Sequence, residues 1–334
     1  QGVPYQETAE VEQSGNVAPG LPRIRGCKNG EEFHSSYLCS QSQHRPQAVA
    51  GAHVSRVVFE GLRAVGVEVA GQVVYAKEVL LSAGAIMSPP VLIRSGVGPL
   101  ADLQRLGVEP VIDAPEVGAN LQDHAYVPVK VTTRSPCIPA GTVEDGLLFA
   151  FFSDLPHVDS GSPVQVELQM NIGCTGEFLT LTLYFILLHT RTPARVTVSS
   201  LDPKAAPEIF FDPFLDGGDV FELSRHIRVF YERILTAPVM EQYELELNPE
   251  PAVAATDARM FGFIFQHLAL WQHPTGTCRV GSVVDDAFRV QGLVGLRVAD
   301  GSVLPDSVSG HPDAAIRMVG QLAAEQILRD HGLT

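Results

Sequence analysis

The sequence predicts a mixed α/β protein: part of a doubly wound layer, joined to a domain built on a large, mostly antiparallel sheet flanked by helices. Three observations predict it. A β-rich run ending at Ala83-Gly84 gives way to helical patterning, the strand–turn–helix order of a nucleotide-binding layer. Val164, Val166, Leu168 and Met170 alternate with Gln165, Glu167 and Gln169, a period of two with one apolar face. Phe221, Leu223, Ile227, Phe230 and Ile234 fall on or near one helical stripe.

Taken in order, residues 1–45 are polar and rich in Gly, Pro, Gln and Ser, which predicts an extended loop or arm. Runs at 54–59, 64–69 and 73–81, separated by Glu60-Gly61 and Ala70-Gly71, predict a small antiparallel unit leading into a buried strand. Helical patterns follow at 88–94 and 100–106, each closed by a glycine. From about Tyr126 the pattern is one of long strands. The alternation at 164–170 predicts a strand with one packed face and one wet face, and 179–187 and 194–199 are expected to continue that sheet. A helix over 219–236 and a closing helix over 312–330, opened by proline, complete the chain. The expected division is 1–125 for the nucleotide layer with its arm, 126–270 for a substrate domain, and 271–334 returning to the first domain.

Composition bounds the function. The 334 residues, 45% apolar and 18% charged, can bury a large core, and 23 basic against 38 acidic residues give −15, which argues against nucleic acid or an anionic membrane surface. The longest apolar stretch, 178–188, is interrupted by Thr180 and Thr182 and falls short of the roughly 20 residues that cross a bilayer. Cys27, Cys39, Cys137, Cys174 and Cys278 are thinly spread, with no pair at metal-knuckle spacing, so neither a disulfide scaffold nor a metal site is expected. No targeting pattern is readable.

The chemistry concentrates near the C-terminus, where His273-Pro274 and His311-Pro312 set two imidazoles on stiffened backbone. From the residues alone, these are either a pre-organised acid/base pair or two unrelated turn histidines. His124 reads as a hydrogen-bonded structural histidine, Cys278 as part of a structural turn, and Ser95-Gly96-Val97-Gly98 lacks the glycine that a nucleophile elbow requires.

Around these histidines lie longer motifs. Ser82-Ala83-Gly84-Ala85-Ile86-Met87-Ser88-Pro89-Pro90, then Asn120-Leu121-Gln122-Asp123-His124, then Ser200-Leu201-Asp202-Pro203, and finally residues 283–305 with Val298-Ala299-Asp300-Gly301-Ser302, occur in the order of the glucose–methanol–choline (GMC) oxidoreductases, which the chain resembles from about Cys27 to Leu328. The resemblance implies FAD as cofactor and oxidation of a small-molecule alcohol. It implies that His273 takes the hydroxyl proton while hydride leaves the neighbouring carbon for the flavin, and that His311 hydrogen-bonds the forming alkoxide. It further implies FAD contacts at Val54, Asp300 and Gly301, and at Pro312 and Asp313, which open a helix whose free amides meet the flavin. Cyanohydrin cleavage on the same fold and a non-catalytic subunit are the alternatives.

The sequence departs from the family pattern in three places. Only 38 positions separate His273 from His311, Glu116 replaces a turn glycine, and no Gly-x-Gly-x-x-Gly occurs in the 334 residues. The last departure leads to the expectation that a second polypeptide or a cleaved N-terminal segment supplies that half of the FAD site, and that this chain alone binds FAD poorly.

Overall fold

The computed structural model describes residues 23–28, 31–34, 49, 51–136, 148–152, 166–175, 177–191, 194–212 and 217–333. The chain divides into two compact units, Gln1–Val54 and Ser55–Thr334. In the first, β1 (Arg23–Lys28) and β2 (Glu31–His34) form an antiparallel pair where the sequence predicted only an arm. The Asn29-Gly30 step between them, a strong hairpin signal, was masked by the polar composition around it. The rest of the predicted arm lies outside the described residues.

The mixed α/β class holds in the second unit. Strands β3 (Val54–Glu60), β4 (Arg63–Val69) and β5 (Gln72–Tyr75) make the expected small sheet, and the predicted run 73–81 breaks before β6 (Val79–Leu81). Helix α1 (Gly84–Arg94) starts four residues ahead of the predicted helix and carries Pro89 and Pro90 in its interior. Strand β7 (Val97–Gly98), α2 (Leu100–Leu106), closed by Gly107 in the left-handed conformation, and β8 (Ile112–Asp113), parallel to β7, follow.

The large sheet comprises β9 (Ala125–Pro136), β10 (Leu148–Phe152), β11 (Val166–Thr175) and β12 (Phe178–Leu187), ordered β10-β11-β12-β9 and antiparallel. Strands β13 (Arg195–Thr197) and β14 (Glu208–Phe210) form a ribbon of their own, so 194–199 does not continue the sheet as predicted. The reason is backbone pairing: Val196 N–H donates to the Gly118 carbonyl and Ala194 accepts from Leu121 N–H, which commits this segment to the turn before β9. Helix α3 (Gly217–Phe230), running on as one π turn through Tyr231–Leu235, α4 (Pro251–Ala254) and α5 (Asp257–His267) follow, with β15 (Glu246–Asn248) and β16 (Ala269–Leu270) both pairing with β9. Val127, Val129 and Val131 of β9, Val166 and Leu168 of β11, and Leu183, Phe185 and Leu187 of β12 pack against Leu223, Ile227 and Phe230 of α3 and Met260 and Ile264 of α5.

The opposite face of this sheet corrects the sequence reading: Glu167 and Gln169, placed on a wet face, are buried at 1% and 6% exposure. Cys174 on β11 is disulfide-bonded, which the scattered cysteines did not signal. Strand β17 (Leu296–Val298) then pairs with β6 in parallel, 217 positions later in sequence (Val79 to Leu296), followed by a 3-10 turn at Gly301–Val303 and α6 (Asp313–Asp330). The buried Arg297 guanidinium binds Glu78 at 2.6 Å and also Asp330, tying β17 to the approach of β6 and to the end of α6. Among the described residues no helix is long and apolar enough to cross a membrane.

Phe185 is fully buried between β12 and α3 and meets Phe230 edge to face. Phe185→Ala is expected to lower unfolding free energy by about 3–5 kcal/mol, read from the urea midpoint at unchanged m-value.

Candidate active site

The site grows from a ladder that extends the β9–β16 pairing back from the start of β9 and on past the end of β16. Trp271 N–H donates to the His124 carbonyl at 2.7 Å, and Gln122 and Thr275 exchange both backbone hydrogen bonds, at 3.1 and 2.9 Å. Between these pairings a single residue, Asp123, faces three: Gln272, His273 and Pro274. The chain accommodates the excess as a bulge, with Gln272 at φ +64°. Pro274 has no N–H to place, and the His273 N–H, left without a carbonyl, donates to Asp123 Oδ1 at 2.7 Å. Gly276, at φ +88°, closes the bulge where any side chain would collide with the Asn120 carbonyl. The local sequence therefore turns the His273 imidazole out of the ladder.

The second imidazole arrives from the other side of the chain's closing turn. Gly310 takes φ +149°, Pro312 occupies the N-cap of α6, and His311 is thereby set beside His273 with ring centroids 4.9 Å apart. The pairing expected of His273 and His311 is thus present in the geometry. Around them stand groups that sequence reasoning did not assign to the site. His124 lies with its Nδ1 2.9 Å from His273 Nδ1. Glu167 Oε1 lies 3.7 Å from His311 Nε2. His189 Nε2 lies 2.9 Å from Ser309 Oγ. Tyr126, Tyr184 and Trp271 meet one another edge to face, at centroid distances of 4.7 to 5.5 Å, on the sheet face that also carries Glu167 and Gln169. The signal for Glu167 and Gln169 was their shared face in the alternation; what hid them was the rule that a polar strand face meets water.

Burial dominates the electrostatics. It pushes His273 down to about 4, with His311 adding to the effect, and His124 down to about 3, so both rings are neutral at pH 7. It pushes Asp123 up to about 6, against the lowering effect of the backbone N–H groups of His273 and His124. Burial also raises the Glu167 carboxyl, opposed by His311, and lowers His189, opposed by Asp306. Among the described residues, Glu167 Oε1 and Gln169 Oε1 are buried without a hydrogen-bond partner. Cys278 is fully buried with its thiol pushed up by desolvation, which suits a structural residue.

Of the residues expected to hold FAD, Asp300 and Gly301 follow the C-terminal end of β17, beside β6, and Pro312 and Asp313 follow His311 directly. Asp300 accepts from Gly84 N–H at 2.9 Å and Ser88 Oγ at 2.6 Å through one oxygen, and from Ser302 N–H at 2.8 Å through the other. Its side chain holds the start of α1 against the 3-10 turn. Gly301 is held so close that a Cβ would come 3.1 Å from Ile316 of α6 and 3.4 Å from the Pro274 carbonyl. No side chain caps the start of α6, and Asp313, in its first turn, pairs with Arg317 at 2.9 Å. A glycine-lined approach, an uncapped helix start and two imidazoles suit an anionic, electron-rich group such as FAD. Val54, in the first unit, opens β3 and is half-buried. Glu116, the departure from the turn pattern, pairs with Arg279 at 3.0 Å.

The comparisons with known proteins agree with this architecture. Two family models, both described as GMC oxidoreductase, match residues 5–126 and 190–320. The oxygen-dependent choline dehydrogenase 1 of Chromohalobacter salexigens is 31% identical over 328 residues, covering 86% of this chain and 58% of that protein. An alcohol dehydrogenase (acceptor) of Pseudomonas putida is 30% identical over 84% of this chain and 58% of its own length. The crystal structure of pyridoxine 4-oxidase from Mesorbium loti superposes with a TM-score of 0.69 at 27% identity, covering 83% of this chain and 57% of that one. The chain belongs to the GMC oxidoreductase family. It spans somewhat under three-fifths of the length of these relatives.

The two depressed histidines fix a pH dependence. Each binds a proton in the unfolded chain below about 6.5 that it refuses in the folded one down to about 4 or 3, so the unfolded state holds more protons and stability rises with pH across that window. The raised Asp123 and Glu167 carboxyls work in the opposite sense, so denaturant midpoints are expected to climb between about pH 4 and 6.5 less steeply than the histidines alone would give, and His124→Gln is expected to flatten that climb further.

Proposed function

We propose that this chain carries the acid/base machinery of an FAD-dependent alcohol oxidoreductase, which converts a small-molecule alcohol to an aldehyde or ketone. The observation that carries the reading is the convergence of His273 and His311, from a bulge and from a helix cap, at a centroid distance of 4.9 Å beside the Asp300–Gly301 turn. His273, neutral at working pH, takes the hydroxyl proton, and His311 hydrogen-bonds the oxygen as negative charge develops on it. The Glu167 carboxylate, 3.7 Å from His311, offsets the positive charge the pair gains. Tyr126, Tyr184 and Trp271 give the substrate a largely apolar wall. Gly301, Asp300, Pro312, Asp313 and Val54 would hold FAD. When bound, FAD supplies the acceptor for the hydrogen and electron pair that leave the carbinol carbon.

On this reading 1–125 and 271–334 serve the cofactor and 126–270 the substrate. The named relatives are dehydrogenases and oxidases, which favours redox turnover over cyanohydrin cleavage and over a non-catalytic subunit. The comparisons lend no support to a second polypeptide or a cleaved segment, so neither is proposed.

His273→Ala is expected to slow anaerobic bleaching of the flavin by alcohol by about 10²–10⁴-fold while flavin content is retained. Matched losses of flavin and rate would overturn the assignment, and a flavin that fails to bleach in the unaltered enzyme would favour the lyase. Glu167→Gln removes a buried charge, so the melting temperature is expected to hold or rise while bleaching slows about tenfold. A fall in melting temperature would make Glu167 a folding residue instead.

A further inference from the structure

The function proposed for His273 leaves open which of its ring nitrogens is bare, and its surroundings decide. The Nδ1 atoms of His124 and His273 are 2.9 Å apart, with the rings edge to face at 82°. At that distance one nitrogen donates and the other accepts. The choice is made on the far side of His124, where Nε2 lies 3.1 Å from the Val308 carbonyl oxygen and 2.8 Å from Ser307 Oγ. A carbonyl only accepts, so His124 Nε2 carries a hydrogen; the Ser307 hydroxyl plays either part and does not arbitrate. The carbonyl is held in place, because the preceding Ser307 N–H donates to Gln122 Oε1 and to Asp306 Oδ1. His124 is buried and held neutral by that burial, so it has one ring hydrogen and no second to give. Its Nδ1 is therefore the acceptor, and His273 Nδ1 is the donor.

We propose that His124 is a positioning residue: the Val308 carbonyl fixes its tautomer, and through its Nδ1 it fixes His273 as the Nδ1–H form, leaving the His273 Nε2 lone pair to receive the alcohol proton. This rests on the proton-acceptor role assigned to His273 above. The alcohol O–H bond breaks and an N–H bond forms at His273 Nε2. The electron pair and the carbinol hydrogen leave for the flavin, and the Nδ1–H bond to His124 persists throughout. In the resulting imidazolium both nitrogens carry hydrogen, and His124 shares the positive charge through the hydrogen bond without taking the proton.

The test reads the tautomer directly. In flavin-loaded protein labelled with ¹⁵N-histidine, two-bond nitrogen–hydrogen correlation spectra at about pH 8 show which ring nitrogen is bare, with the His273 signals identified by their loss in His273→Gln. The unaltered protein is expected to show a bare Nε2 and a protonated Nδ1. His124→Phe is expected to move the hydrogen of His273 to Nε2, and His124→Asn, whose amide oxygen replaces the lost acceptor, to restore part of the original population. Flavin bleaching by alcohol is expected to fall at least about tenfold in His124→Phe at unchanged flavin content, and to recover in part in His124→Asn. A protonated Nε2 in the unaltered protein, or an unchanged tautomer in His124→Phe, overturns the proposal. Should His124→Phe not fold, the spectrum of the unaltered protein decides alone. The expected tautomer beside an undiminished rate in His273→Ala would overturn the proton-acceptor role and leave the tautomer assignment standing.

Discussion

The site depends on one hydrogen bond, from the His273 backbone N–H to the Asp123 carboxylate. A three-against-one bulge leaves an amide with no carbonyl opposite, and a buried amide without a partner costs about 1–3 kcal/mol. Asp123 meets that need with a side chain that sits opposite the bulge only because His124 and Gln122 on either side of it are fixed by ladder bonds to Trp271 and Thr275. The carboxyl is held up near 6 by its burial, so the bond is made by a group close to its own titration point. Without this arrangement the chain could straighten the bulge, and the imidazole would return to the plane of the ladder.

A second constraint joins the two distant parts of the parallel layer. Asp300, just past β17, holds the Gly84 N–H that starts α1 after β6 through one oxygen and the Ser302 N–H of its own 3-10 turn through the other, so one carboxylate joins the two strand ends. The closeness of Gly301 to Pro274 and Ile316 then joins this turn to both histidine-bearing segments. Three stretches far apart in sequence share one small volume because glycine lets backbones approach where a side chain would part them.

Much of this was legible in the sequence. The period of two marked β11, the apolar run marked β12, the 3.6-residue stripe marked α3, and His-Pro steps marked the two imidazoles. What escaped did so for identifiable reasons. Glu167 and Gln169 occupy the polar positions of an alternating strand, and nothing in the strand itself tells whether that face meets water or a second layer of protein. His124 reads as a structural histidine because its ring partners, His273, the Val308 carbonyl and Ser307 Oγ, are 149, 184 and 183 positions away. The ribbon at 194–199 has ordinary strand propensity, and only its bonds to Gly118 and Leu121 decide which strand it joins.

The clamp at Arg297 has a mechanical consequence. Helix α6 is 18 residues long, roughly 27 Å, with His311 just before its start and Asp330 at its end. Asp330 is bound by Arg297, and Arg297 sits on the strand that leads into Asp300. The helix is therefore a strut pinned at its far end to the same strand that sets the glycine turn beside the histidines. A rod held at one end converts a small tilt there into a larger sideways displacement at the other, so the ion pair of a buried arginine well removed from the chemistry anchors the helix that begins next to His311.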